Sequence, residues 1–342
     1  MTTLAFSGAG SITAVHGMAA KATPDVTVTA VASRTEARAA ERAGQLGARA
    51  CGYDDLPGGA DVVFVTSAPA AHALGVMQAL QGGAAAIVEK PLATTLTDAD
   101  RIVAAAEAVG GRVGYAENLA YAPIVRRLLD RRASLGRLAH LDARAIQPAP
   151  DWGGFLEATW GGGVLFDLGP HPVALVLLMA RPGRPVSVSA TLARHEAGEV
   201  DDHAEVSITF DTGLVARVEA SWRGTGETTV WDLQAAGDTG VLRLELVPTP
   251  ALEADGEPCP LPAPRGDVPE PRLEQMGYTV QLETMIDDFA RGREPLMSAA
   301  FGRQVLDVIC GAYAAAGAGE PVALPFAGRR DATPLALWRD GA

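Results

Sequence analysis

The chain reads as α/β plus α+β: a doubly wound parallel sheet, then a second domain built on a large, open, mainly antiparallel sheet. Three observations predict this. Short apolar runs of strand type alternate with Ala-rich helical runs over residues 1–120, the pattern of a parallel sheet wound on both faces. Beyond that point, strand-like runs follow one another with short Gly or Asp turns, the pattern of an antiparallel sheet. The length, 342 residues, exceeds one average domain. The expected division is 1–120 and 121–342.

In the first part, TLAFSGAG (3–10) is a strand running into a glycine turn, and AVHGMAAKA (14–22) is a helix. VTVTAVAS (26–33) and ADVVFVTS (60–67) are strands; TEARAAERAGQLG (35–47) and AAHALGVMQALQGG (70–83) are helices. AAAIVEKP (84–91), TDADRIVAAAEAVGG (97–111) and RVGYAE (112–117) give strand, helix and strand. A helix at 122–136 opens the second part, with strands at 138–147, 186–195, 203–210, 214–224, 229–237 and 240–247. The Pro-rich stretch 258–271 is a loop, and helices follow near 278–291 and 300–317.

Composition narrows the function. A net charge of −13 repels phosphate backbones, and no basic patch with interleaved aromatics reverses that, which argues against nucleic acid as the main partner. Cys51, Cys259 and Cys310 are odd in number and scattered, against a disulfide framework and against a structural metal. No apolar stretch is long enough to span a bilayer and no basic leader precedes the first strand. The expectation is a cytoplasmic protein without a membrane partner.

GAGSIT (8–13) follows a strand and opens a helix, and that context gives a Gly-x-Gly turn its meaning. Gly8 allows the turn, and Gly10 lets a pyrophosphate approach the backbone of Ser11 and Ile12 at the helix start. Thr13 stands where Gly or Ala is usual, and is expected to loosen helix–strand packing slightly. Where an acid would bind a ribose hydroxyl, the end of the second strand carries Ser33 and Arg34. A hydroxyl and a guanidinium suit a 2′-phosphate, so NADP is preferred over NAD; the alternative is that Arg34 only stacks on adenine.

VEKPLA (88–93) puts Glu89, Lys90 and Pro91 where a parallel strand ends, a place where ligands collect. A surface ion pair between Glu89 and Lys90 fits poorly, because strand neighbours point to opposite faces. In the second part, GGGVLFDLGPHPVALVLLMA (161–180) sets Asp167 and His171 four apart inside an apolar run. Unpaired charge is costly there. On one continuous helix the two share a face, but Pro170 and Pro172 point to a kinked or freshly started helix. The bland reading of His171 is a satisfied core histidine.

GAGSITAVHG, TSAPAAHALGVMQALQGGAAAIVEKPLA and GGGVLFDLGPH, in that order, resemble the glucose-fructose oxidoreductase and inositol dehydrogenase (Gfo/Idh/MocA) family over nearly the whole chain. The resemblance implies an N-terminal Rossmann domain for NADP or NAD. It also implies a C-terminal sheet used for homodimer or homotetramer contacts, and hydride transfer on a sugar, cyclitol or related polyol. It implies His171 as base, Lys90 as the cation facing the reacting oxygen, and Asp167 as the group that holds substrate hydroxyls and tunes both. Thr66, Ser67, Ala68, Pro69 and His72 match positions near the cofactor, and Glu89 a ribose contact. His72 serves equally well as a helix cap. Where the family often has Arg or Lys before an aromatic, this chain has Ala120 and Tyr121, leaving Asn118 as the polar contact. Trp152, Trp160 and Tyr278 are candidate pocket walls. The alternatives are a non-catalytic NAD(P)-binding sensor on the same fold, and an enzyme that cycles a tightly held cofactor.

Overall fold

The computed structural model describes residues 1–56, 59–195, 198–263 and 270–340, so part of the expected Pro-rich loop lies outside the described residues. The chain forms two compact units. The N-terminal elements are β1 (Thr2–Ser7), α1 (Ser11–Ala22), β2 (Val26–Ala32), α2 (Glu36–Leu46), β3 (Arg49–Cys51), β4 (Val62–Val65), α3 (His72–Gln81), β5 (Ala85–Glu89), α4 (Leu96–Ala108) and β6 (Val113–Ala116). The strands are parallel, in the order β3-β2-β1-β4-β5-β6. β4 and β5 are buried at every residue, as a sheet covered on both faces requires. The three-residue edge strand β3 is too short to show a period, and the sequence did not reveal it. The strand order reverses between β1 and β4, the switch point at which open α/β sheets bind ligands.

The chain continues with α5 (Pro123–Asp130), β7 (Leu138–Ile146), α6 (Val164–Asp167), α7 (Pro170–Ala180), β8 (Pro185–Ala193), β9 (His203–Phe210), β10 (Val215–Ser221), β11 (Val230–Gly237), β12 (Val241–Val247), β13 (Ala251–Ala254) and β14 (Glu257–Pro258). Then come α8 (Pro271–Gln275), α9 (Tyr278–Ala290), α10 (Ala299–Ala318), β15 (Val322–Ala323) and α11 (Pro334–Asp340). The nine later strands form one sheet, β14-β13-β12-β11-β7-β10-β9-β8-β15, antiparallel except where β10 runs parallel to β7. β9 alternates, burying Ala204, Val206, Ile208 and Phe210 while exposing Glu205. The buried face meets α7, whose residues are all buried and which lies on β7 and β10. On the other face Arg144 forks onto Asp232 across the β7–β11 pair at 3.0 and 2.5 Å. Exposed pairs of this kind contribute at most about 1 kcal/mol each, so the apolar face holds this sheet. Among the described residues no single helix is long and apolar enough to cross a membrane.

α8 and α9 return to the first unit, where α9 packs on α1. A side chain at Gly277, just before α9, would strike the carbonyl oxygen of Asn118.

Candidate active site

In the first unit, the ends of three neighbouring strands, β1, β4 and β5, carry the predicted groups. Gly8 follows β1 with φ +140°, and a Cβ there would lie 2.5 Å from the carbonyl of Thr66 at the end of β4. No L side chain fits that conformation and that contact together. Gly10 caps α1 without a side-chain bond, no acid occupies the first turn, and a Cβ at Gly10 would meet nothing within 4 Å. The first N–H groups of α1, at Ser11 and Ile12, thus stand at an uncrowded helix start with no capping acceptor, which fits a pyrophosphate. Thr13 does not loosen the packing as expected. It is fully buried and its hydroxyl bonds that of Thr66 at 2.8 Å, tying α1 to β4. The close helix–strand approach falls instead at Gly75 in α3, where a Cβ would sit 2.8 Å from Val65.

At the end of β2, Ser33 Oγ accepts the Thr35 N–H at 3.2 Å, and Arg34 is exposed. Burial pushes the Tyr53 phenol up, and the Arg34 charge opposes that rise. After β4, Ser67 Oγ is buried with no hydrogen-bond partner, and Pro69 begins a single turn. His72 is 1% exposed, with Nδ1 2.9 Å from the Pro91 carbonyl and Nε2 3.0 Å from the Ser67 carbonyl. Its ring therefore braces the loop after β4 against the loop after β5, and it does not cap its helix. Burial lowers its pKa against the pull of those carbonyls and of Glu89, so the neutral ring donates to one carbonyl only. Asn118 is likewise engaged, its Nδ2 donating to the Met276 carbonyl at 2.7 Å.

At the end of β5 the side chain of Glu89 is buried, and Lys90 follows half-buried, joined to Pro91 by a cis peptide. Glu89 Oε2 accepts the backbone N–H of Lys90 at 2.8 Å. Its Oε1 lies 2.5 Å from His16 Nε2, a buried contact on α1 that sequence reasoning missed. Burial pushes the Glu89 carboxyl up, but the His16 hydrogen bond and the nearby positive charge, that of Lys90 included, outweigh it and hold it below the usual range. Tyr278 stands edge-on to His16 with ring centroids 5.3 Å apart.

In the second unit, the apolar segment is a broken helix. Pro170 and Pro172 lack the N–H groups that would bond Phe166 and Leu168, so α6 stops and α7 begins afresh, bent by 46° from the segment Ala158–Asp167 that α6 ends. Asp167 ends α6 and His171 lies in the first turn of α7; both are buried. His171 faces Trp231 of β11, ring centroids 5.2 Å apart, whose indole N–H is buried without a partner. Trp152 is half-exposed, and Trp160 packs edge-on against Phe155.

Asp201 sets where this segment starts. Its carboxylate accepts the N–H groups of Gly163 at 3.0 Å and Leu165 at 2.9 Å, and the Tyr313 hydroxyl at 2.6 Å. A Cβ at Gly163 would lie 2.1 Å from the Asp201 carbonyl, so only glycine permits this approach. Burial pushes the Asp201 carboxyl up, and the Tyr313 hydroxyl and backbone N–H groups offset part of that. Asp201→Asn turns one acceptor into a donor facing an N–H. It is expected to lose about 1–3 kcal/mol, read by chemical denaturation; a variant as stable as the parent would show that the three bonds do not hold the segment. Asp201, His16 and Trp231 gave no sequence signal, because each acts through a partner far along the chain.

Residues 3–117 match the model described as the oxidoreductase family with NAD-binding Rossmann fold, and residues 124–243 match the GFO/IDH/MocA C-terminal domain. The dTDP-3,4-didehydro-2,6-dideoxy-alpha-D-glucose 3-reductase of Streptomyces antibioticus is 33% identical over 244 residues, 66% of this chain and 70% of the relative. The 1,5-anhydro-D-fructose reductase of Ensifer adhaerens is 29% identical over 50% of this chain and 54% of its own. The crystal structure of GenD2 from gentamicin A biosynthesis, in complex with NAD, superposes with a TM-score of 0.83 at 26% identity, over 94% of this chain and 96% of that one.

Proposed function

Because this chain belongs to the GFO/IDH/MocA family and is an NAD(P)-dependent oxidoreductase, we propose that it moves a hydride between the nicotinamide and a secondary alcohol of a sugar, cyclitol or related polyol, with Lys90, Asp167 and His171 at the reacting centre. The observation that carries the reading lies in the first unit. The Gly8–Gly10 turn, the Thr66–Ser67 end of β4 and Lys90 follow three adjacent strands beside the switch point of the sheet. When bound, the coenzyme supplies the two-electron acceptor for the carbinol hydride.

In the oxidising direction the carbinol C–H bond breaks with both electrons, the O–H bond breaks, and a C=O bond forms. An imidazole nitrogen of His171 takes the hydroxyl proton, a contribution of about 10²–10⁴-fold in rate. The Lys90 ammonium stabilises negative charge developing on the substrate oxygen. Asp167 accepts hydrogen bonds from neighbouring substrate hydroxyls. Thr66, Ser67, Glu89 and Asn118 line the coenzyme side of this reading, and Ser33 with Arg34 select the 2′-phosphate of NADP. The two reductases above are named for sugar-type substrates, which supports that class here. Few cations besides Lys90 belong to the proposed set, which favours a neutral substrate over a phosphorylated one.

A panel of free sugars, cyclitols and one dTDP-sugar, each tested with NAD and NADP, checks the reading. Coenzyme reduction is expected with at least one neutral polyol, with kcat/KM about tenfold higher for NADP, the size of one good charged contact. Reduction with NAD alone would remove the role given to Arg34. Tight coenzyme binding without turnover across the panel would favour a sensor.

A further inference from the structure

His16 sits in the second turn of α1, 1% exposed, with no part in the turn that precedes it. Its ring is fixed on one side by Phe64, centroids 4.0 Å apart, and edge-on by Tyr278 at 5.3 Å. Its Nε2 holds Glu89 Oε1 at 2.5 Å, and Glu89 Oε2 in turn holds the backbone N–H of Lys90 at 2.8 Å. Its Nδ1 is buried without a hydrogen-bond partner.

A residue kept only to fill this space would be apolar. Two aromatic neighbours already surround the position, and a buried polar pair commonly gives no more stability than well-packed apolar side chains of similar volume. Leaving Nδ1 unsatisfied adds to the cost. What the pair does beyond filling space is hold Oε1 of Glu89, while Oε2 of the same carboxylate accepts the N–H of the peptide from which the Lys90 side chain departs.

We propose that His16 is a positioning residue for hydride transfer: by holding Glu89 it fixes the backbone of Lys90, and with it the starting point of the ammonium. This rests on the role given to Lys90 above. A reacting group displaced by about 1 Å loses on the order of 10²-fold in rate, which sets the scale of the effect.

The test uses the full chain with NAD(P)H and the best substrate of the panel. Coenzyme Kd, kcat and KM are measured for His16→Leu, His16→Gln, Lys90→Met and the His16→Leu/Lys90→Met double variant. His16→Leu is expected to lower kcat by about 10- to 100-fold with KM and coenzyme Kd little changed. His16→Gln, which keeps a donor within reach of Glu89, is expected to recover most of that loss. The double variant is expected to be no slower than Lys90→Met alone, because His16 acts through Lys90.

Wild-type kcat in His16→Leu overturns the inference, as does a double variant slower than Lys90→Met by the full His16→Leu factor, which would mean a general structural role. Lys90→Met at wild-type turnover removes the functional reading itself, whereas an inactive Lys90→Met beside a fully active His16→Leu removes only this inference. If His16→Leu does not fold, Glu89→Gln carries the same cycle from the other partner: non-additivity with Lys90→Met supports the inference and additivity overturns it.

Discussion

Lys90→Met is expected to lower kcat by about 10³-fold while NAD(P)H still binds. Met keeps most of the length and the unbranched apolar stem of lysine and removes the ammonium. Lys90 stands at the end of β5, directly after a buried carboxylate that holds its backbone, so the main chain has a second anchor when the ammonium is gone. The loss therefore falls on the charge developing at the substrate oxygen, which belongs to the transition state more than to the ground state. Such a loss appears in kcat and kcat/KM together. Steady-state kinetics beside a coenzyme fluorescence titration separates the two effects. Turnover within experimental error of wild type would show that another group faces the reacting oxygen.

Gly8→Ala is expected to cost about 3–5 kcal/mol of folding stability and to weaken coenzyme binding in whatever fraction folds. Two independent costs add there. The φ of +140° lies where L residues are strained by roughly 1–3 kcal/mol. The new Cβ would also meet the carbonyl carbon and oxygen of Thr66 at 2.5 Å, and backbone cannot rotate away as a side chain can. Relief requires β1 and β4 to part at their carboxyl ends, where the pyrophosphate is read to sit. Urea denaturation with an NAD(P)H titration checks both. A variant with the wild-type midpoint and affinity would mean that the turn adapts, and that its glycine is not needed for close approach.

What the sequence made legible follows from range. The Gly8–Gly10 turn, the Glu89–Lys90–Pro91 strand end and the Asp167–His171 segment are local patterns, and each lies on the expected kind of element. The two prolines already announced the break between α6 and α7, since a missing N–H is a property of the residue itself. The loosening expected of Thr13 does not arise, because its hydroxyl bonds that of Thr66, a partner 53 residues away that no local pattern reveals. His16 read as an ordinary helical residue; only the fold brings it to Glu89, 73 residues on. Trp231 and Asp201 were invisible for the same reason. Short strands such as β3, β14 and β15 have two or three residues and so carry no period.

The central claim is that this chain passes a hydride to its coenzyme with Lys90 and His171 serving the same step. A single-turnover experiment tests it most directly: enzyme preloaded with NADP or NAD is mixed with a reactive polyol, and the nicotinamide absorbance is followed. The wild type is expected to reduce its bound coenzyme in one fast phase. Lys90→Met and His171→Gln, loaded equally well, are each expected to slow that phase by about 10²-fold or more, and the double variant by less than the product of the two. A fast phase that survives in both single variants would contradict the account.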